Sequence, residues 1–205
     1  MSQLALVFDT ETSGMIEFAK TAEDPVQPWP VEIAWQLVNL ENWSVYQQFV
    51  GLVRLPAGTP IDAGALAIHG INPAMVDQGG IAPAAMLGLF LETLAVADLY
   101  VCHSVNFDRR VMETLRYRMD GTPTGWLKTR PSICTMLKST AVCRVAKTNG
   151  RGGYKWPTLV EAHRHFTGLE MGDAHTALAD VKATVLVLKG LIEGGQVCPQ
   201  EAIGL

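Results

Sequence analysis

The sequence predicts an α/β fold in which helices flank a mixed sheet. Two observations support this prediction. Compact runs rich in Val, Ile, Phe, Trp and Tyr come first along the chain, and strand-like and helix-like segments then alternate from residue 61 onward. With 205 residues, 48% of them apolar and 18% charged, the chain has enough apolar material for a sizeable core. We expect one domain over residues 1–205, with its core at about 4–192 and a short C-terminal tail.

The first quarter of the chain contains three candidate strands. Residues 4–9 (LALVFD) are typical of a buried strand, and residues 31–40 and 45–53 flank a short polar turn, which predicts an antiparallel pair. Between the first two strands, three prolines in residues 24–30 restrict the backbone, so we expect an extended, stiff loop there.

Helices are expected next. Residues 61–70 fit a short helix with Asp62 as its cap, and Asn72 followed by Pro73 is a typical helix start. Residues 83–96 are apolar on nearly every side, which predicts a well-buried helix.

The second half of the chain continues the alternation. Residues 99–104 predict another buried strand, and residues 106–119 predict a helix directly after it. Thr158 and Glu161 have the spacing of a capping box that opens a helix, and residues 173–192 carry the apolar spacing of a last helix.

Charge is distributed unevenly along the chain. The net charge is −9 in residues 1–104, +8 in residues 105–155 and −3 in residues 156–205. The basic stretch predicts a surface that faces a polyanion, with an ordinary solvated surface as the alternative. Its glycine-rich part, residues 147–155, is predicted to be a mobile loop that guides such a polymer.

Composition favours an intracellular chain without membrane contact. No run of about eighteen apolar residues is present, and the start of the chain lacks the basic region of a signal peptide. The four cysteines have no paired spacing, which favours free thiols in a reducing compartment and a cytoplasmic location.

Two acids end the first predicted strand. Side chains two residues apart on a strand face the same way, so Asp9 and Glu11 can point to one spot beyond its carboxyl end. Adjacent carboxylates repel each other unless a cation neutralises them, so the pair indicates a site for a hard cation with oxygen ligands. The alternative is a surface Asp-x-Glu without a function.

A second polar motif follows the strand at 99–104. Asn106 and Asp108 lie where that strand turns into a helix, at the edge where open α/β sheets gather their ligands. Alternatively, Asn106 caps the helix and Asp108 complements the helix dipole. We expect Phe107, between them, to lie in the core.

The last predicted helix carries a histidine and an acid. If both are helical, His175 and Asp180 are separated by a rise of roughly 7–8 Å and by about 140° around the axis, so they cannot share one ligand position. Asp180 would then hold a metal while His175 reaches a water. The alternative is a first-turn polar residue and a surface acid, although Asp180 adjoins the apolar stripe, where a lone acid is costly.

In this order and placement, the three motifs resemble those of the DEDDh exonuclease superfamily. That superfamily has a ribonuclease H-like fold and includes the epsilon subunit of bacterial DNA polymerase III, ribonuclease T and oligoribonuclease. The resemblance covers about residues 4–190, and one departure is a longer gap between Glu11 and Val31 than in the compact members. Four strings carry the resemblance: VFDTETSGM at 7–15, AIHGI at 67–71, HSVNFDRRVM at 103–112 and AHTALADVKAT at 174–184.

The resemblance implies a role for nine residues. The four metal-binding acids would be Asp9, Glu11, Asp108 and Asp180. His175 would be the general base, because an imidazole titrates near neutral pH. Residues implied to lie next to the substrate are Thr12, Ser13, His69 and Asn106. For His69, a hydrogen-bonded core histidine is the alternative.

The implied activity is that of a 3′→5′ exonuclease. It would hydrolyse phosphodiester bonds at single-stranded 3′ ends, with DNA favoured over RNA, and release nucleoside monophosphates with two Mg²⁺ ions, for which Mn²⁺ can substitute. Implied partners are single-stranded DNA or RNA 3′ ends and, as in proofreading, a polymerase or another DNA-processing protein. The alternatives are a catalytically idle nucleic-acid-binding or assembly subunit and a metal phosphatase that acts on nucleotides.

Aromatic side chains in loops are candidates for stacking on the last base. Trp29, Tyr154 and Trp156 have loop positions in the predicted structure. The alternative is that these rings belong to the core, and the sequence favours that alternative more for Trp156 than for Trp29.

Overall fold

A five-stranded mixed sheet forms the centre of the computed structural model, which describes residues 3–148, 152–172, 176–198 and 200. The strands are β1 (Leu4–Thr12), β2 (Pro30–Asn39), β3 (Val45–Leu52), β4 (Leu99–Cys102) and β5 (Ser132–Cys134). Their order is β3-β2-β1-β4-β5, with β2 antiparallel to both β1 and β3, and β4 parallel to both β1 and β5. The predicted mixed sheet is therefore confirmed.

Seven helices lie in the described ranges and flank this sheet. They are α1 (Ala63–His69), α2 (Pro73–Gly79), α3 (Pro83–Val96), α4 (Val105–Asp120), α5 (Thr135–Cys143), α6 (Leu159–Thr167) and α7 (Ala177–Glu193). None of these helices is long and apolar enough to cross a membrane.

The alternation of side chains along β1 divides the core into two layers. Leu6 and Phe8 belong to the layer that contains α3, where the rings of Phe8 and Phe90 meet edge to face with centroids 5.0 Å apart. Val7 points to the opposite face and belongs to the layer that contains Val181 of α7. Successive residues of β1 therefore alternate between the α3 layer and the α7 layer.

Three parallel strands bring their carboxyl ends to one edge of the sheet. β1, β4 and β5 run in the same direction, and α4 and α5 begin shortly after β4 and β5. The N-terminal turns of these two helices therefore lie at the edge where β1 ends. In α/β sheets, this is the edge where ligands bind.

The loop over residues 14–30 is a folded insert, and its residues 24–30 are not the extended segment that their prolines predicted. The N–H of Gln27 donates to the carbonyl of Asp24 at 3.1 Å, which closes a turn with Pro25 in its second position. The side chain of Gln27 then donates to the carbonyls of Glu17 and Thr21, at 2.9 Å in both cases. The conformation of the loop is therefore determined by hydrogen bonds within it, and not by its prolines alone.

Two arginines of α4 fasten this loop to the domain. Arg118 donates to the carbonyl of Pro28 at 3.0 Å, and its guanidinium lies 4.4 Å from the centroid of the Trp29 ring. Arg110 donates to the carbonyl of Lys20 at 2.7 Å. The loop is therefore held along much of its length.

Local sequence signals located several helix starts correctly. The side chain of Asn72 accepts a hydrogen bond from the N–H of Met75 at 3.1 Å, and both bonds of the capping box between Thr158 and Glu161 are present. Asp62 is the N-cap of α1 as predicted, but its side chain makes no cap hydrogen bond.

Other expectations were wrong or incomplete. Helix α3 is not buried on every side, because Leu89 and Val96 are 45% and 59% exposed. β5 and α5 had not been predicted. Helix α7 begins at Ala177, later than predicted, and residues 173–175 lie outside the described residues. The predicted mobile loop likewise falls partly on residues 149–151, which are also outside them.

Candidate metal centre

Three carboxylates converge at the end of β1. Asp9 and Glu11 continue the face of β1 that packs against α7, and Asp180 lies in the first turn of α7. One oxygen of each of these three side chains lies within 4.8 Å of the others. The period of two along β1 and the packing of α7 on that face therefore produce the cluster.

Asp108 lies beside this cluster in the first turn of α4. Its side chain is only 2% exposed, and its Oδ1 accepts hydrogen bonds from the backbone N–H and the hydroxyl of Thr10 at 3.1 and 2.9 Å. Its charge is the largest influence, after burial, that raises the pKa of Asp9. The fourth predicted acid is thus held next to the other three by the middle residue of the Asp-x-Glu motif.

Burial first, and the charges of neighbouring acids second, oppose the ionisation of these carboxyl groups. Burial, followed by the charges of Asp180 and Glu32, raises the pKa of Glu11 to about 8. Burial is also the largest cause that raises the pKa of Asp108 to about 7, while its hydrogen bonds from Thr10 act in the opposite direction. Carboxylate oxygens are the ligands preferred by hard divalent cations, and such a cation would relieve this repulsion. The donor set therefore fits a divalent metal such as Mg²⁺.

A fifth acid, Glu32, joins the site without having been predicted. It lies opposite Glu11 in the β1–β2 register, and its Oε2 accepts the N–H of Ala177 at 2.9 Å. Glu32 therefore fixes the start of the helix that carries Asp180. A single acid inside the apolar run VEIAW was the sequence signal for this residue.

Two predicted substrate contacts use their hydroxyls inside the protein. Thr12 donates from Oγ1 to the carbonyl of Gly14 at 2.7 Å, and Oγ of Ser13 accepts the N–H of Trp29 at 3.0 Å. Both residues are buried. They therefore fix the backbone between β1 and the 14–30 loop.

His69 lies next to the acids and is hydrogen-bonded through both ring nitrogens. Its Nδ1 accepts the N–H of Ile71 at 2.9 Å, so Nε2 of the neutral ring carries the proton and donates to the carbonyl of Thr12 at 3.2 Å. Burial lowers the pKa of His69, which favours this neutral form. His69, Thr12, Glu11 and Phe107 line one cavity of about 420 Å³. Phe107 is consequently half-buried in the wall of a cavity, and the prediction of a core position was wrong.

The structure does not bring Asn106 into the acidic cluster. Asn106 is exposed, and its Oδ1 accepts from Arg109 at 2.8 Å; since Ser104 is the N-cap of α4, the cap alternative for Asn106 was wrong. His175 lies outside the described residues. Helix α7 begins at Ala177 with Thr176 as its N-cap, and the predicted spacing between His175 and Asp180 involves a residue outside the described ranges.

The two tryptophans exchange the environments expected for them. Trp156 is 64% exposed, whereas Trp29 is partly buried beneath Arg118. Several basic residues of the +8 segment likewise support the structure: Arg116 lies 4.6 Å from the centroid of the Trp126 ring, and Arg118 holds the 14–30 loop. The charge of this segment is therefore only partly available to a ligand.

Comparisons with known proteins identify the family of this chain. The family model RNase_T, described as an exonuclease, matches residues 6–188. The protein named uncharacterized exonuclease CP81 of Escherichia phage 186 is 32% identical over 200 residues, which cover 93% of this chain and 89% of that protein.

Solved structures of Exonuclease I share the fold. The E. coli enzyme in complex with a dT13 oligonucleotide has a TM-score of 0.70 at 22% identity, covering 92% of this chain and 41% of that chain. The zinc-bound E. coli enzyme with single-stranded DNA has a TM-score of 0.70 at 21% identity, with coverage of 95% and 41%. Exonuclease I of Methylocaldum szegediense has a TM-score of 0.69 at 22% identity, with coverage of 93% and 40%. This chain thus spans about two fifths of the Exonuclease I chains.

The family match covers most of the sequence, the curated relative exceeds 30% identity, and the solved neighbours share the ribonuclease H-like α/β architecture. The chain therefore belongs to the RNase_T exonuclease family, whose members are nucleases that act on nucleic acids.

Proposed function

We propose that this protein is a divalent-metal-dependent 3′→5′ exonuclease that shortens single-stranded nucleic acids and releases nucleoside monophosphates. The convergence of oxygens from Asp9, Glu11 and Asp180, with Asp108 beside them, carries this proposal. These four acids would hold two Mg²⁺ ions or Mn²⁺ in their place. Bound divalent ions activate a water and stabilise the charge that develops on the phosphoryl oxygens.

The other residues of the site would orient the substrate and move a proton. His175 is proposed as the base that removes a proton from the attacking water. The cavity lined by Glu11, His69 and Phe107 would take the terminal nucleoside, and the half-buried ring of Phe107 offers a face for its base. Thr12 and Ser13 would act through the backbone that their hydroxyls hold in place. A paired terminal base would first have to be unstacked, which favours single strands.

DNA is the proposed substrate, in preference to RNA. This choice rests on the solved complexes of E. coli Exonuclease I, which contain the oligonucleotides dT13 and dA16. A polymerase or another DNA-processing protein is the proposed partner class. The free cysteines fit work in a reducing compartment such as the cytoplasm.

The polarity and substrate can be tested together with 5′-labelled DNA and RNA oligonucleotides of the same sequence. With Mg²⁺, we expect a ladder that shortens from the 3′ end, formed faster from DNA, and no ladder in EDTA. Asp9→Asn, which removes one charge at nearly constant size, should abolish the ladder. Binding without shortening would indicate the idle subunit, and release of phosphate from mononucleotides alone would indicate a phosphatase.

Replacement of His175 tests the proposed base. His175→Ala should lower kcat by about 10²–10⁴-fold while the affinity for Mg²⁺, measured by calorimetry, stays nearly unchanged. His165→Ala removes an exposed histidine from α6 and serves as the matched control. A His175→Ala enzyme with the wild-type rate would exclude this residue as the base.

The raised pKa values predict how stability depends on pH. The folded state holds protons on Glu11 up to a pKa of about 8 and on Asp108 up to about 7, whereas the unfolded chain releases them at much lower pH. The metal-free protein should therefore lose stability as pH rises from about 4.5 to about 8, since the native state binds more protons there.

Thermal melting in EDTA across this pH range measures the effect. Mg²⁺ should raise the melting temperature more at about pH 8 than at about pH 6, because it binds the deprotonated carboxylates. Glu11→Gln should flatten the pH dependence of the metal-free protein. A melting temperature that rises with pH in EDTA would contradict the proposed repulsion.

Two substitutions of Glu32 can separate the effect of its charge on stability from the effect of its hydrogen bond. Glu32→Gln keeps an oxygen that can accept the N–H of Ala177, whereas Glu32→Ala leaves this buried N–H without its partner. We expect Glu32→Ala to lower the free energy of unfolding by about 1–3 kcal/mol and Glu32→Gln to lower it by less. Denaturant unfolding measures both variants. Equal losses would show that the hydrogen bond does not hold the start of α7.

A further inference from the structure

A groove lies beside the first turn of α4 and is separate from the cavity that Glu11, His69 and Phe107 line. It has a volume of about 690 Å³ and runs between the N-terminal turns of α4 and α5. Its walls carry three large apolar side chains that are strongly exposed: Phe18 at 56%, Leu137 at 49% and Trp156 at 64%. Contiguous exposed apolar surface of this kind usually marks a binding site.

The groove lies at the same edge of the sheet as the acids. Cys134 at the end of β5 and Ser104 just beyond β4 line it, and β4 runs parallel to β1, where Asp9 and Glu11 lie. Three consecutive residues of α4 connect the two places: Asn106 lines the groove, Phe107 lines the cavity that contains Glu11, and Asp108 reaches the acids. A single-stranded nucleic acid bound in the cavity that contains Glu11, called the acidic cavity below, could therefore continue into the groove.

Both aromatic walls are held in position by other parts of the fold. Phe18 belongs to the 14–30 loop, which Arg110 fastens at Lys20 with a hydrogen bond of 2.7 Å. The segment of Trp156 is fastened by buried His103, whose ring nitrogens lie 3.1 Å from the carbonyl of Pro157 and 3.0 Å from the hydroxyl of Thr135. The backbone close to each ring is therefore held in place, which lowers the conformational entropy lost when the rings contact a ligand.

The charge of the groove suits a polyanion. Lys138 lines it, two helix N-termini open towards it, and none of the lining residues in the described part of the chain is acidic. Exposed aromatic rings beside positive charge are the combination by which proteins bind single-stranded nucleic acid without sequence preference.

We propose that this groove binds the single strand on the 5′ side of the scissile bond, with bases stacked on Trp156 and Phe18. This inference rests on the proposed exonuclease activity and extends it. It also gives the 14–30 loop a role, since this loop supplies Phe18 as one wall. The acidic cavity would hold the 3′-terminal nucleoside, while the groove would hold the nucleotides on its 5′ side.

The double variant Phe18→Ala/Trp156→Ala tests the groove. Fluorescence anisotropy in EDTA would measure the binding of labelled oligo-dT of about 3 and about 12 nucleotides, and hydrolysis with Mg²⁺ would give KM and kcat for each. We expect the wild-type protein to bind the longer oligomer more tightly. The double variant should lose at least about 10-fold of that advantage in Kd and KM, with little change in kcat.

Tyr46→Ala is the matched control, because Tyr46 is as exposed as Phe18 but lies on β3 at the opposite edge of the sheet. Its length dependence should equal that of the wild type. Because all these side chains are exposed, melting temperatures should confirm that the variants fold.

The outcomes separate this inference from the proposed function. A double variant that shortens oligonucleotides with the wild-type dependence on length would overturn the groove and leave the exonuclease standing. A wild-type protein that neither binds nor shortens any oligonucleotide would overturn both. Sedimentation showing a dimer that the double variant disrupts, with oligonucleotide binding unchanged, would assign the groove to a second copy of the chain instead.

Discussion

The burial of mutually repelling carboxylates at the end of β1 is the constraint on which the rest of the structure depends. Asp9, Glu11 and Asp180 hold oxygens within 4.8 Å of one another, and burial and neighbouring charges raise the pKa values of Asp9 and Glu11. The apolar layers on both faces of the sheet oppose this repulsion, because they fix β1 and α7 against each other. The raised pKa values imply that the ionised cluster lowers the stability of the metal-free protein, and this cost fits the proposed role of these acids as metal ligands.

Sequence reasoning succeeded where the determining interactions are local. The period of two placed Asp9 and Glu11 on one face, and the capping box at Thr158 fixed the start of α6. Glu32 was missed because its role depends on a hydrogen bond to Ala177, 145 residues away. β5 was missed because a strand of three residues carries too little pattern, and only its pairing with β4 defines it.

The environments of Trp29 and Trp156 also depend on contacts between residues that are distant in the sequence. The sequence pattern places both rings in loops, but Arg118 of α4 covers Trp29, while Trp156 remains exposed. The same arginine shows why net charge overstated the polyanion surface. A guanidinium that donates to loop carbonyls and stacks on an indole stabilises the fold and is less available to a phosphate.

The first turn of α4 explains how one short segment can serve two different surfaces. Successive residues of a helix point about 100° apart, so Asn106, Phe107 and Asp108 face three directions. They face the aromatic groove, the cavity beside Glu11 and the acids themselves, respectively. The helix N-terminus adds positive potential beside the groove, while Thr10 holds Asp108 on the acidic side. In the proposed function, a nucleic-acid strand that crosses this turn would meet the aromatic side chains first and the proposed metal ligands at its 3′ end, which is the order that stepwise removal of terminal nucleotides requires.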